Sequence, residues 1–154
     1  MPEIQIAQTT AKPKRARSIV IIGAGGIVRD AHLPAYAKAG FPVVGLFDRD
    51  RSRSQALAAQ FRIPRVYESL DEAVREAHAE TVFDVAVPAS AILDILPSLP
   101  DGCGVLIQKP LGENLEQAAA IRAVCRQKQL TAAVNFQLRF APLALAARSL
   151  IEQG

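Results

Sequence analysis

Ser18-Ile19-Val20-Ile21-Ile22-Gly23-Ala24-Gly25-Gly26-Ile27-Val28 is the stretch on which the fold turns. Its first five residues are a short apolar run, rich in β-branched side chains, that stops at glycines. A strand buried on both faces reads this way, because neither side of it meets water, and such strands belong to parallel sheets. Residues 27–39 then read as a helix, interrupted in pattern by Pro34 and closed by Gly40. Pro34 has no N–H, so it kinks the helix or restarts it.

The same alternation repeats along the chain. Val43–Phe47 is an apolar run ending in Asp48, and residues 51–61 are helical in composition with Asp50 as N-cap. Arg65–Tyr67 reads as a short strand. Ser69 and Glu72 have the capping-box spacing and open a helix to about Ala77. Val82–Val87 is the next buried run, and residues 89–96 form a short helical stretch stopped by Pro97 and Pro100. Val105–Ile107 is a strand, Asn114 with Gln117 caps a helix over 115–128, Thr131–Val134 is a strand, and Pro142–Gln153 is a last helix. Six strand–helix alternations with short links require crossovers, which cover both faces of a parallel sheet. The expected fold is α/β, a doubly wound, mostly parallel sheet of the Rossmann type.

Composition narrows the class. The chain has 154 residues, half of them hydrophobic, which suits one domain with a sizeable core. Residues 1–17 hold Lys12, Lys14, Arg15 and Arg17 against Glu3, which accounts for the whole net charge of +3 and leaves 18–154 neutral. A neutral body does not invite nucleic acid. Residues 1–17 read as a flexible basic leader and 18–154 as the folded domain. No apolar run approaches the roughly 18–20 residues a membrane-spanning helix needs, and no secretory signal is visible, so no membrane partner and a cytoplasmic location are expected. Cys103 and Cys125 are too few for a disulfide framework, and no metal-ligand spacing occurs.

Each glycine after the first strand has a chemical reason. Gly23 lets the chain turn off the strand. Gly25, without a side chain, lets a diphosphate approach the backbone. With Gly26 and Ile27 it opens a helix whose free N–H groups and positive dipole end suit an anion. Val28 stands where a third small residue is usual and is expected to push the helix outward. Asp48, 25 residues after Gly23, ends the second strand. A carboxylate there accepts from both ribose hydroxyls and repels a 2′-phosphate, favouring NAD over NADP. Arg49 beside it would pair with that phosphate, so NADP stays open. Asp48 also reads as a turn residue for the next helix. An S-adenosylmethionine binder uses the same glycine turn and acidic residue.

Ile107-Gln108-Lys109-Pro110-Leu111 follows a buried strand and precedes a capped helix. Together with Gly23-Ala24-Gly25-Gly26, Asp48, Pro88 and Asn135-Phe136-Gln137-Leu138-Arg139-Phe140-Ala141-Pro142, it resembles the Gfo/Idh/MocA family of NAD(P)-dependent oxidoreductases. The resemblance runs from about Ser18 to the last residue. It implies that Lys109 is catalytic, placed near the nicotinamide and its ribose, that Pro110 fixes the backbone after it, and that Pro88 shapes the nicotinamide side. It argues against the methyltransferase reading. Gln108 departs from the family's Glu-Lys-Pro, and Ala89 stands where Asn is common. His32 reads as a helix-packing residue rather than a base, and His78 as exposed.

Family members are more than twice this length. Their second domain supplies the substrate pocket, the catalytic Asp and His, and most of the oligomer interface, so a small-molecule substrate would bind mainly through a C-terminal domain absent from these residues. The resemblance then implies a cofactor domain that binds NAD(H) without turnover by itself, serving hydride transfer at a sugar- or polyol-like hydroxyl. The alternative is a non-enzymatic NAD-sensing module. The helix 142–153, with Leu143, Leu145, Leu150 and Ile151, is expected to mediate self-association.

Overall fold

A computed structural model of the protein describes residue 6 and residues 8–153. Residues 1–5 and 7, part of the expected leader, lie outside the described residues. Five strands are present: β1 (Ile19–Ile22), β2 (Val43–Phe47), β3 (Val82–Val85), β4 (Gly104–Ile107) and β5 (Thr131–Val134). They form one sheet in the order β2-β1-β3-β4-β5, and every pairing is parallel. The helices are α1 (Leu33–Ala39), α2 (Arg51–Phe61), α3 (Leu70–Arg75), α4 (Ile92–Ile95), α5 (Leu115–Gln127) and α6 (Pro142–Gln153). Among the described residues no helix is long and apolar enough to cross a membrane.

The expected short strand at Arg65–Tyr67 is reduced to a single parallel bridge, Val66 on Leu46. Two backbone bonds make it, Leu46 N–H to Arg65 O at 3.1 Å and Tyr67 N–H to Leu46 O at 3.0 Å.

All four side chains of β1 are buried, as the uninterrupted apolar run requires. They alternate between two layers. Val20 and Ile22 pack with Phe83, Val85, Val105 and Ile107 beneath α4 and α5. Ile19 and Ile21 pack with Val28, Leu33, Leu46 and Leu57 beneath α1 and α2. Burying each large aliphatic side chain contributes about 1.5–3 kcal/mol of transfer free energy.

Local signals set the helix ends. The carboxylate of Asp50 accepts from Ser52 N–H, Ser69 accepts from Glu72 N–H, and Asn114 accepts from Gln117 N–H. Gly40, at φ +75°, closes α1. Pro34 does not end the first helix. A π turn, Val28–His32, precedes α1, and Leu33 N–H donates five residues back to Val28 O. The wider turn gives way to α-helix one residue before the proline, whose ring clashes with the carbonyl four residues back. Pro97 likewise does not stop its segment: it lies inside a 3₁₀ turn, Leu96–Ser98, continuous with α4. Within that 3₁₀ turn it is one of the first two residues, whose N–H groups the turn itself leaves unbonded.

Ala16–Val134 make one compact unit. The segment from Asn135 belongs to a second unit with residues before Ala16. There, a 3₁₀ turn (Gln137–Phe140) leads into α6, and no residue of that helix is buried.

Candidate functional site

The strands end on one edge of the sheet, and the order β2-β1-β3 makes β1 the place where the chain switches direction across it. Ligands of such sheets bind outside the carboxyl ends at that switch. Gly23 leaves β1 there at φ +110°, and a Cβ on it would lie 2.4 Å from Ala86 O. Glycine is required twice over: by the left-handed backbone and by the close approach of the chain beyond β3. At Gly25 a Cβ would meet nothing within 4 Å. Its missing side chain leaves open space, a cradle that a ligand can enter. Val28 N–H and Arg29 N–H both donate to Gly25 O as the first internal bonds of the helix. The amides of Gly26 and Ile27 therefore precede the ladder.

Asp48 faces this turn. Its Oδ2 accepts from Ala24 N–H at 2.6 Å and its Oδ1 from Asp50 N–H at 2.8 Å. The acidic end of β2 and the glycine turn are thus bonded to each other on one edge. Asp48 is a turn residue as well, but Asp50, not Asp48, caps α2.

An open cleft of about 440 Å³ lies beside the pair, and Gly23, Asp48, Arg49, Arg53, Pro88 and Asp94 are among its lining residues. A second hollow, of about 310 Å³, includes Gly25, Gly26, Arg29 and Arg53 among its lining residues. Of the residues singled out from sequence, Gly23, Asp48, Arg49 and Pro88 meet in the first hollow, and Gly25 and Gly26 in the second. Ile27 lines neither and is 40% exposed. Lys109 and Pro110 line neither; both are exposed at the end of β4 and joined by a cis bond.

Arg53 and Asp94 were not anticipated. Arg53, ion-paired with Asp50 at 3.1 Å, borders both hollows, and Arg49 comes within 3.9 Å of Asp94. Arg53 follows from helical spacing, two residues into α2 after the expected cap. Asp94 carries no signal beyond its position after Pro88.

His32 packs in the helix as read, and it also carries a polar role. Its Nδ1 is 2.7 Å from Asp84, which β3 buries completely. Burial, and then the negative charge of Asp84, push the Tyr36 phenol well up from its ordinary range. One signal for this group was available: Asp84 is the lone charge in the apolar run Val82-Phe83-Asp84-Val85. Among the described residues no group of three or more His, Cys, Asp or Glu could hold a metal ion.

Residues 17–136 match the Gfo/Idh/MocA family model, whose description is an oxidoreductase family with an NAD-binding Rossmann fold. The chain belongs to the Gfo/Idh/MocA oxidoreductase family. It carries that family's NAD-binding domain. A putative oxidoreductase of Salmonella typhimurium, YceM, is 36% identical over 130 residues, covering 84% of this chain and 41% of that protein. D-xylose 1-dehydrogenase (NADP(+)) 2 of Haloferax volcanii is 27% identical over 132 residues, 85% of this chain and 40% of that one. The crystal structure of an NAD-binding oxidoreductase from Klebsiella pneumoniae superposes with a TM-score of 0.79 at 25% identity, covering 91% of this chain and 39% of that chain. The Gfo/Idh/MocA chain described here thus spans about two fifths of the length of the curated relatives it matches.

Proposed function

We propose that residues 18–154 hold NAD(H) or NADP(H) across the carboxyl ends of β1, β2 and β3, in an oxidoreductase acting on a sugar- or polyol-like hydroxyl. The observation that carries this is the bond from Ala24 N–H to Asp48, which sets the glycine turn and the acidic strand end side by side at an open cleft. The residues fit the cofactor. Gly25, Gly26 and Ile27 offer backbone N–H groups and space to a diphosphate. Asp48 keeps lone pairs for ribose hydroxyls beyond its two backbone bonds. Arg49 and Arg53 stand where they would meet a 2′-phosphate, so either dinucleotide is accommodated. Pro88 forms the wall on the nicotinamide side. When bound, the nicotinamide supplies or takes up a hydride.

Lys109, exposed at the end of β4, would present its ammonium to the hydroxyls of the substrate and nicotinamide ribose. Similarity to a D-xylose dehydrogenase supports a polyhydroxylated substrate. No residue lining the cleft is a histidine or lysine able to serve as base. The 154-residue chain should therefore bind dinucleotide without oxidising inositol or hexoses. A cytoplasmic location agrees with two free cysteines, and α6 offers an apolar surface for self-association.

Calorimetric titration with NADH, NADPH and S-adenosylmethionine tests the reading. Saturable binding of a nicotinamide dinucleotide, and none of S-adenosylmethionine, is expected. Binding of S-adenosylmethionine alone, or of none of the three, overturns it.

A further inference from the structure

A line of polar side chains runs beneath the Lys109 turn, and the cofactor reading leaves it unused. Asp84 lies fully buried in β3. Its Oδ2 accepts from Tyr36 at 2.9 Å and faces His32 Nδ1 at 2.7 Å, while its Oδ1 is buried with no hydrogen-bond partner. His32 Nε2 is 3.2 Å from Gln108 Nε2, and Gln108 Oε1 accepts from Lys109 N–H at 2.8 Å. His32, Asp84 and Gln108 are each less than one tenth exposed.

The polarity of these bonds runs one way. A backbone N–H only donates, so the Gln108 oxygen must face Lys109. The Gln108 nitrogen is left for His32, and it too only donates. His32 Nε2 must then accept, which makes the ring neutral with its single ring proton on Nδ1, aimed at Asp84. A doubly protonated ring would set donor against donor at Gln108. Turning the amide over to relieve that would set donor against donor at Lys109.

We propose that Gln108 is a positioning residue: its amide locks His32 in the neutral, Nδ1-protonated form and ties the Lys109 backbone to Asp84 through that ring. β3, the π turn and the end of β4 are thereby linked beneath the residue assigned to the nicotinamide end. A glutamate at 108, as in the resembled Glu-Lys-Pro motif, would still accept from Lys109 N–H. It would also present an acceptor to His32 Nε2, so both ring nitrogens would face acceptors and the ring would take a second proton. The consequence for cofactor binding rests on the proposed function; the state of the ring does not.

Nitrogen-15 histidine spectra of the full chain at neutral pH test the ring, with His78→Gln assigning the two histidines. The expected wild-type His32 signal has a protonated Nδ1 and a bare Nε2, and Gln108→Glu should show both nitrogens protonated. A wild-type ring protonated at Nε2 overturns the proposal, as does an unchanged ring in Gln108→Glu. Binding gives the second readout. Gln108→Met, which keeps the volume and removes both bonds, should weaken NADH about tenfold while ADP-ribose, which lacks the nicotinamide, changes less than about twofold. Gln108→Glu, which keeps the Lys109 bond, should recover NADH binding to within about threefold of wild type. Equal losses for NADH and ADP-ribose, or none, overturn the positioning role. If wild type binds neither ligand, the cofactor reading fails, and the spectra still decide the ring.

Discussion

Gly23 and Gly25 lie two residues apart in one turn and are glycine for opposite reasons. Gly23 is constrained by the protein itself, through its positive φ and the carbonyl of Ala86. Gly23→Ala should destabilise the fold by about 2–4 kcal/mol, read as a large drop in Tm. Gly25→Ala meets no atom of the protein and should melt within about a degree of wild type. Tyr36 gives a prediction in pH. Its folded-state pKa is raised, so its contribution to stability is complete below the ordinary phenol value of about 10 and is lost as pH rises above it. Tyr36→Phe has no such proton, so wild-type stability should fall more steeply than the variant's above pH 10 in chemical denaturation. The glycine turn and Asp48 were legible in the sequence because their chemistry is local to two strand ends. The partners of Asp84 were not: His32 and Tyr36 lie 52 and 48 residues from it, and only the folded sheet brings them together.

Among the elements, five of six strands follow directly from short apolar runs. The sixth, at Arg65–Tyr67, has only one residue that pairs, which no count of β-branched side chains reveals. The caps at Asp50, Ser69 and Asn114 were legible because capping is a contact across three residues or fewer. The π turn was not, since Pro34 signals a disturbance without specifying its form. Asn114 holds the first turn of α5, whose Ile121 and Cys125 are buried in the core. Asn114→Ala should cost about 1 kcal/mol, or about 2–4 °C in Tm by calorimetry.

The whole molecule exposes an apolar segment from Phe136 onward. Leu143 and Ile151 of α6 are 82% and 80% exposed, and Leu138 and Phe140 of the preceding turn are exposed as well. Exposed apolar side chains in such number agree with the self-association proposed for α6. Sedimentation at rising protein concentration should show association that Leu143→Glu with Ile151→Glu abolishes; a wild-type monomer throughout would contradict the proposed self-association. The assignment to the Gfo/Idh/MocA family was legible because it rests on motifs spread over the whole sheet edge. The substrate was not, because the chain spans only two fifths of its relatives' length.

The central claim is that the open space at Gly25, beside Asp48, holds the diphosphate of a nicotinamide dinucleotide. Calorimetric titration of NADH into wild type and Gly25→Ala, at equal folded concentration, tests it most directly. The account predicts saturable one-to-one binding by wild type, weakened by about tenfold or more in the variant. Equal affinity in the two proteins would contradict it.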